Sequence, residues 1–236
     1  MVPPLALVYV GLIACLLGTV IAALWLGNLP ALTNAVVATL LAIAPSVLVP
    51  LLDGSSAPTV TAAPQLSVWI AGAAFLHTIG MFGPYDTVWW WDHLTHTLSA
   101  TLLAALVYAI LLVTEPRLAV LGDGAIVSVA GTVLCTLALG IVWEFAELVA
   151  REIGEQRDID PVLEYYGLRD TALDLVFDAL GALLVIALDL RLFVPIVERD
   201  PVFAGTVLTA IVVSSFVAVT VITVWLERQH PSRRRE

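Results

Sequence analysis

Lysine is absent from the sequence and charge of either sign is scarce: all ten basic residues are Arg, and charged residues make up 13% of 236. A soluble domain carries roughly 25% charged residues, so this composition excludes an ordinary water-facing surface. Only two cysteines occur, Cys15 and Cys135, each inside an apolar run. That excludes a disulfide framework and a Cys-x-x-Cys metal site, and both read as packing residues. No Ser or Cys sits in a nucleophile elbow, and no internal repeat is evident. A net charge of −10 excludes nucleic acid as a partner.

What the chain has in abundance is hydrocarbon. Hydrophobic residues make up 60% of it, and the mean hydropathy is +0.99. A spanning helix needs ~20 apolar residues to cross ~30 Å of hydrocarbon, so the expectation is an all-α, polytopic transmembrane helical bundle of about seven spans forming one domain over residues 1–236. The apolar runs fall at 3–26, 31–52, 66–82, 94–113, 125–150, 171–194 and 202–226. Gly27-Asn28-Leu29-Pro30 reads as a tight turn and residues 53–64 as a Ser/Pro/Thr-rich loop, while 151–170 is the longest polar connection. The first run lacks a basic flank and is long for a signal-peptide core, so it is expected in the mature protein. Its solvent, and first partner, is membrane lipid.

Arginine near the span ends sets the expected orientation. Arg151, Arg157, Arg169, Arg228, Arg233, Arg234 and Arg235 would lie on one side, and Arg117, Arg191 and Arg199 on the other. A cytoplasmic C-terminus in a multi-pass cell-membrane protein follows, with Trp89, Trp90 and Trp91 as an interfacial anchor on that side. The basic tail with His230 would meet anionic headgroups. Asp189 and Arg191, near the opposite face, are expected to pair locally or snorkel. Glu152, Glu155, Asp158, Asp160 and Glu164 read as a solvated acidic loop, with Tyr165 and Tyr166 as interface anchors.

Ionisable groups inside spans are costly and mark functional sites, and here they gather at one end. His77 ends the third run; Asp92, His93 and His96 open the fourth; Glu144 and Glu147 close the fifth; Asp170, Asp174 and Asp178 open the sixth. An alternating path puts all of these on one membrane side. Asp92 and His96, Glu144 and Glu147, and Asp174 and Asp178 are three or four residues apart, so each pair shares a helix face. Acids crowded without a counter-charge repel or are forced neutral, a difficulty that a divalent cation removes. The candidate ligands are Asp92, His96, Glu144, Asp174, Asp178 and His77, with Glu147 and Glu144 as candidate catalytic carboxylates. A His/carboxylate set suits zinc, iron or manganese, and an all-carboxylate subset suits magnesium or calcium. The bland alternative makes Asp92 and Asp170 helix N-caps, leaves the glutamates solvated and has His77 hydrogen-bond a neighbouring helix. His93 points about 100° from Asp92, which makes His96 the stronger ligand candidate.

The series His77-x-x-Gly80, Asp92-His93-x-x-His96, Trp143-Glu144-x-x-Glu147 and Asp174-x-x-x-Asp178-x-x-Gly181, over roughly residues 66–190, resembles the YjdF-like and VanZ-like families of small membrane proteins. The chain departs from them at Leu168-Arg169-Asp170, where the YjdF-like pattern has Gln-Gly-Asp, and at Asp178, where VanZ-like members carry Asn. The resemblance implies a shared membrane fold and carries no reaction with it. Glu147-x-x-x-Arg151 is similar to the glutamate-arginine motif of CAAX-type membrane proteases, but Ala146 stands where that motif doubles its glutamate. The last span also lacks the His-x-x-x-His pair of ceramidase-type hydrolases.

Three functional readings fit these residues. The first is a metal-dependent hydrolase or phosphatase of a lipid or lipid-linked substrate, with a carboxylate such as Glu147 as general base. The second is a proton- or cation-coupled transporter, and the third is a non-catalytic membrane component whose cluster staples helices together. Polar groups gathered at one end, rather than along the bundle, favour a one-sided site over a through-pathway.

Overall fold

The computed structural model describes residues 3–52, 64–118 and 123–229. The Ser/Pro/Thr-rich loop and the tail with His230 and Arg233–Arg235 lie outside the described residues, as do the side chains of Arg117 and Arg228. Among the described residues there are nine helices and no strands: α1 (Pro4–Leu26), α2 (Leu29–Leu52), α3 (Pro64–Gly80), α4 (Pro84–Thr87), α5 (Trp91–Leu118), α6 (Gly124–Arg157), α7 (Leu168–Ala187), α8 (Val194–Val197) and α9 (Pro201–Gln229). The seven long helices follow the seven apolar runs, and the chain is an all-α membrane bundle.

Five of them, α1, α2, α5, α6 and α9, are long and apolar enough to cross a membrane on length and composition alone. The two others have local reasons to fall short. The α3 helix is 17 residues long, and α7 carries Arg169, Asp170, Asp174 and Asp178 in its first three turns. The buried acids of α7, Asp174 and Asp178, face the bundle, whereas Val176, Leu180 and Leu183 face outward.

The bundle has two parts. Helices α1, α2 and α3 pack on one another around Tyr9, Leu16, Ala38, Ala42 and Ala71. Helices α5, α6 and α7 pack together, α8 and α9 flank α5, and α3 against α5 joins the two groups. Lipid offers no hydrophobic drive between helices, so close approach of small residues supplies the packing. On α7, a Cβ at Gly181 would lie 2.8 Å from the Thr97 carbonyl and 2.9 Å from the Thr101 amide of α5; glycine is what lets α7 rest on the α5 backbone. On α6, Ser128, Thr132, Thr136, Gly140 and Glu144 form a buried stripe four residues apart. Thr132 and Thr136 donate their hydroxyls to carbonyls one turn earlier, so the middle of the stripe is small and satisfied within the helix, while the Ser128 hydroxyl at one end and Glu144 Oε1 at the other have no hydrogen-bond partner.

The Gly27 turn forms as expected. Gly27 adopts φ +67° as the α1 C-cap, a left-handed conformation open to glycine, and Asn28 Oδ1 accepts the Ala31 amide at 2.9 Å to start α2. Asp189 and Arg191 also pair, Nε to carboxylate at 2.9 Å, and the Tyr108 hydroxyl donates to the same Asp189.

Two expectations need correction. The polar connection after the fifth run is shorter than 151–170, because α6 continues to Arg157; the Arg151–Glu155 and Gln156–Glu152 contacts, at 2.7 and 2.9 Å and four residues apart, extend the helix beyond its apolar part. Glu152 and Glu155 are therefore helical residues. Neither Asp170 nor Asp92 is an N-cap: Gly167 holds that position for α7, which begins at Leu168, and Asp92 lies inside the first turn of α5, which begins at Trp91.

Candidate metal centre

The C-terminal ends of α3 and α6 and the N-terminal ends of α5 and α7 meet on one side of the bundle. His96, one turn into α5, is the hub. Its Nδ1 lies 3.2 Å from Asp178 Oδ1 on α7, close enough for an N–H donor, which leaves the lone pair of a neutral imidazole on Nε2. That Nε2 faces Asp92 Oδ1 at 3.8 Å and Glu144 Oε1 at 3.9 Å. Both separations are too long for hydrogen bonds. They do suit donors sharing one ion, since two atoms each about 2.0–2.2 Å from a metal lie no more than about 4.4 Å apart.

Glu144 sharpens the case. It is 5% exposed, and its Oε1, 3.9 Å from His96 Nε2, is buried without a hydrogen bond, as is the hydroxyl of Thr171 on α7, which neighbours this carboxylate. An unpaired buried carboxylate oxygen costs several kcal/mol in a dry site, of order 1–3 or more. One donor atom each from Asp92, His96 and Asp174 lie within 4.8 Å of one another, and Glu144, 3.9 Å from His96 Nε2, stands beside this group of three as a fourth donor within reach of the histidine. Asp174 is itself steered by His93, whose Nδ1 is 3.4 Å from its Oδ1 and whose ring stacks on Phe177 at 4.4 Å. His93 therefore does face α7, despite its angular distance from Asp92.

Asp178 reaches His96 because α6 has no side chain in the way. A Cβ at Gly140 would collide with the Asp178 carboxylate and lie 3.2 Å from Leu175 Cδ2. The residue in the ligand series that points toward metal binding from sequence is here the one that orients the imidazole.

His77 belongs to a separate chain of hydrogen bonds. Asn34 on α2 donates through Nδ2 to the carbonyls of Pro30, at 2.9 Å, and Val162, at 2.6 Å, so its Oδ1 is the acceptor for His77 Nε2 at 3.1 Å. The other ring nitrogen, Nδ1, then accepts from the Tyr85 hydroxyl at 2.6 Å. Burial raises the Tyr85 phenol well above its ordinary range, keeping that proton in place. The Tyr85 ring lies against Gly80, where any Cβ would collide with it. With both nitrogens engaged, His77 orders the wall of the site and links α2, α3, α4 and the 158–167 connection. That connection is fixed a second time by Tyr166, whose hydroxyl donates to Asp86 Oδ1 at 3.0 Å.

Glu147, one turn after Trp143, accepts the indole N–H of that residue at 2.7 Å. Both line a cavity of about 370 Å³ together with His77, Tyr85, Asp92, His96 and Asp178. Glu144, Asp174 and Asp170 have no part in this lining; the first two stand behind Asp92 and His96.

A family of predicted membrane proteins, DUF2238, matches residues 9–194. The chain belongs to this family. The match runs from Tyr9, inside α1, through α7, takes in every residue of the centre, and leaves α9 outside. No curated protein and no solved structure matches the chain.

Within this family member, three site residues carried no pattern that sequence reasoning used. Asn34 is a lone polar residue in an apolar helix, a signal that was legible as a costly intramembrane group but had no partner to suggest. Tyr85 sits in the short α4 helix between two spans. Gly140 is visible only through what it leaves open.

Proposed function

We propose that the chain is a membrane-embedded hydrolase or phosphatase with a divalent-cation centre, acting on an ester or phosphoester of a lipid or lipid-linked substrate at headgroup depth. The observation that carries this reading is the buried Glu144 Oε1, without a hydrogen bond, facing His96 Nε2 at 3.9 Å, with Asp92 and Asp174 grouped around the same histidine. Four carboxylates around two imidazoles, His96 and His93, need further positive charge. The arginines whose ion pairs are known at the two membrane faces, Arg151 and Arg191, are paired with Glu155 and Asp189 instead. Asp92, His96, Glu144 and Asp174 are the proposed donors, with Asp178 orienting His96. Bound there, the ion would supply Lewis acidity toward a phosphoryl or acyl oxygen.

Glu147, in the cavity wall and oriented by Trp143, is the proposed general base. It takes one proton from water as the water oxygen bonds to phosphorus or the acyl carbon, and returns it to the departing alcohol oxygen as that bond breaks. The polar residues gather at one end of the cavity, which sets this reading ahead of a carrier with access to both faces. The motif spacing supports kinship with YjdF-like and VanZ-like proteins. The seven-to-three distribution of Arg supports placing this end and the C-terminus on the cytoplasmic side of a cell membrane; a reporter fused after Glu236 that registers outside would reverse that placement.

The test is elemental analysis of the purified chain after equilibration with manganese or zinc. One equivalent per chain is expected, with substoichiometric content in Glu144→Gln and Asp92→Asn variants that remain folded. Equal, negligible metal in all three would remove the centre and with it the hydrolytic reading.

A further inference from the structure

The cavity extends far beyond the polar centre. From Asp92 at its polar end it runs along α5 to Leu103, eleven residues or ~16 Å at 1.5 Å per residue. That is about half of the ~30 Å hydrocarbon thickness of a bilayer, the depth of one leaflet. Past the centre its walls are apolar, with Leu41, Ile70, Leu102 and Leu139 among them. The hydroxyl of Thr136, also in the wall, is already donated to Thr132, so this limb presents little that would hold water.

The cavity is also open sideways. It lies between the α1–α3 group and the α5–α7 group, with the α3–α5 contact at its back. At its front, Val37 and Leu41 of α2 line it while remaining 49% and 57% exposed, and Trp143 of α6 is 39% exposed. A spanning helix exposes such residues to lipid, not to water.

We propose that this cavity takes one hydrocarbon chain of a phospholipid-type amphiphile directly from the surrounding leaflet, through a mouth formed by Val37 and Leu41 of α2 and Trp143 of α6, bringing its headgroup to the Asp92, His96 and Glu147 end. The inference rests on the hydrolase reading for what happens at the headgroup, but the chain-binding limb stands on its own geometry. Chain and headgroup are then sorted by the walls themselves: apolar limb toward the midplane, carboxylates and imidazoles at the interface.

The experiment is native mass spectrometry of the full chain in detergent, titrated with palmitoyl-oleoyl phosphatidylglycerol and, separately, with soluble glycerol phosphate. One saturable phospholipid per chain is expected, and glycerol phosphate at the same concentration should not displace it. Val37→Trp and Leu41→Trp, which fill the mouth at already exposed positions, should weaken retention roughly tenfold or more, about 1.4 kcal/mol. Leu40→Trp, next to Leu41 but 65% exposed and outside the cavity lining, should leave it unchanged. Retention unaffected by both mouth variants, or weakened equally by Leu40→Trp, overturns the proposal. Metal content measured on the same samples separates the two readings: phospholipid bound with no metal sinks the centre and keeps the mouth, whereas metal bound with no saturable phospholipid does the reverse.

Discussion

Replacing Gly140 by Ala should damage the centre from a position that holds no ligand. The added Cβ would overlap the Asp178 carboxylate and press on Leu175, so either α6 and α7 separate or Asp178 leaves its rotamer. Overpacking of this kind costs about 1–3 kcal/mol, and a displaced Asp178 also gives up its 3.2 Å contact with His96 Nδ1, which is worth about 0.6–1.7 kcal/mol for an interhelical bond in a membrane. The two effects share one side chain and do not add fully, so a loss of about 2–3 kcal/mol is expected. Cation affinity should fall about 10–100-fold, the usual effect of removing the partner that orients a ligating histidine. Unfolding in mixed micelles followed by circular dichroism reads the first quantity, and a manganese titration the second. Gly72→Ala is the control: a Cβ there meets nothing within 4 Å, and Ala in a helix interior should be neutral or stabilising by about 0.5–1 kcal/mol. In an Asp178→Ala background most of the Gly140→Ala penalty should vanish. Equal behaviour of Gly140→Ala and Gly72→Ala, or an undiminished penalty without Asp178, would refute the steric argument.

Asp178→Asn keeps an acceptor for His96 Nδ1 and should cost under about 1 kcal/mol of stability, while lowering cation affinity about tenfold or more because the imidazole becomes less basic; unchanged affinity would return Asp178 to a purely structural role. Asn34→Ala removes two donors and leaves the buried His77 Nε2–H unpaired, a loss of about 1–3 kcal/mol. Protease cleavage within residues 158–167 should accelerate in that variant, and an unchanged cleavage rate would count against the tether. Glu164, outside the spans, is raised above the ordinary carboxyl range by burial and then by the charges of Asp86, Asp160 and Asp92. A raised folded pKa contributes stability that is present below the unfolded pKa and lost as pH rises through the folded pKa. As pH rises from the ordinary glutamate range, about pH 4, through the raised folded-state value, the Tm of the wild type should therefore drop relative to that of Glu164→Gln; parallel Tm profiles would remove Glu164 as the source.

The long helices were legible because hydropathy alone decides where a chain can lie in lipid, and each apolar run became one helix. Their polar ends were less so. The α6 helix extends past its apolar segment on Arg151–Glu155 and Glu152–Gln156 spacings, and those residues also look like a loop when composition is the guide. Convergence of His96, Glu144, Asp174 and Asp178 followed from alternation of the path and the three- and four-residue spacings, and the structure brings all four together. Spacing does not encode which nitrogen of His96 meets which acid, so the contact of Asp178 with His96 Nδ1 at 3.2 Å was visible only in the structure. His77 carried the same ligand chemistry, but its neighbours Asn34 and Tyr85 lie 43 and 8 residues away in the chain; only the packing of α2 and α4 against α3 shows that both ring nitrogens are engaged.

The central claim is that a cation sits between His96 Nε2 and the carboxylates of Asp92, Glu144 and Asp174. Pulsed electron paramagnetic resonance of the manganese-loaded chain tests it most directly, since a ligating imidazole nitrogen couples to the electron spin. The account predicts coupling to one histidine nitrogen, abolished in His96→Gln and retained in His93→Gln and His77→Gln. Manganese bound without any nitrogen coupling, or with coupling that survives His96→Gln, would contradict it.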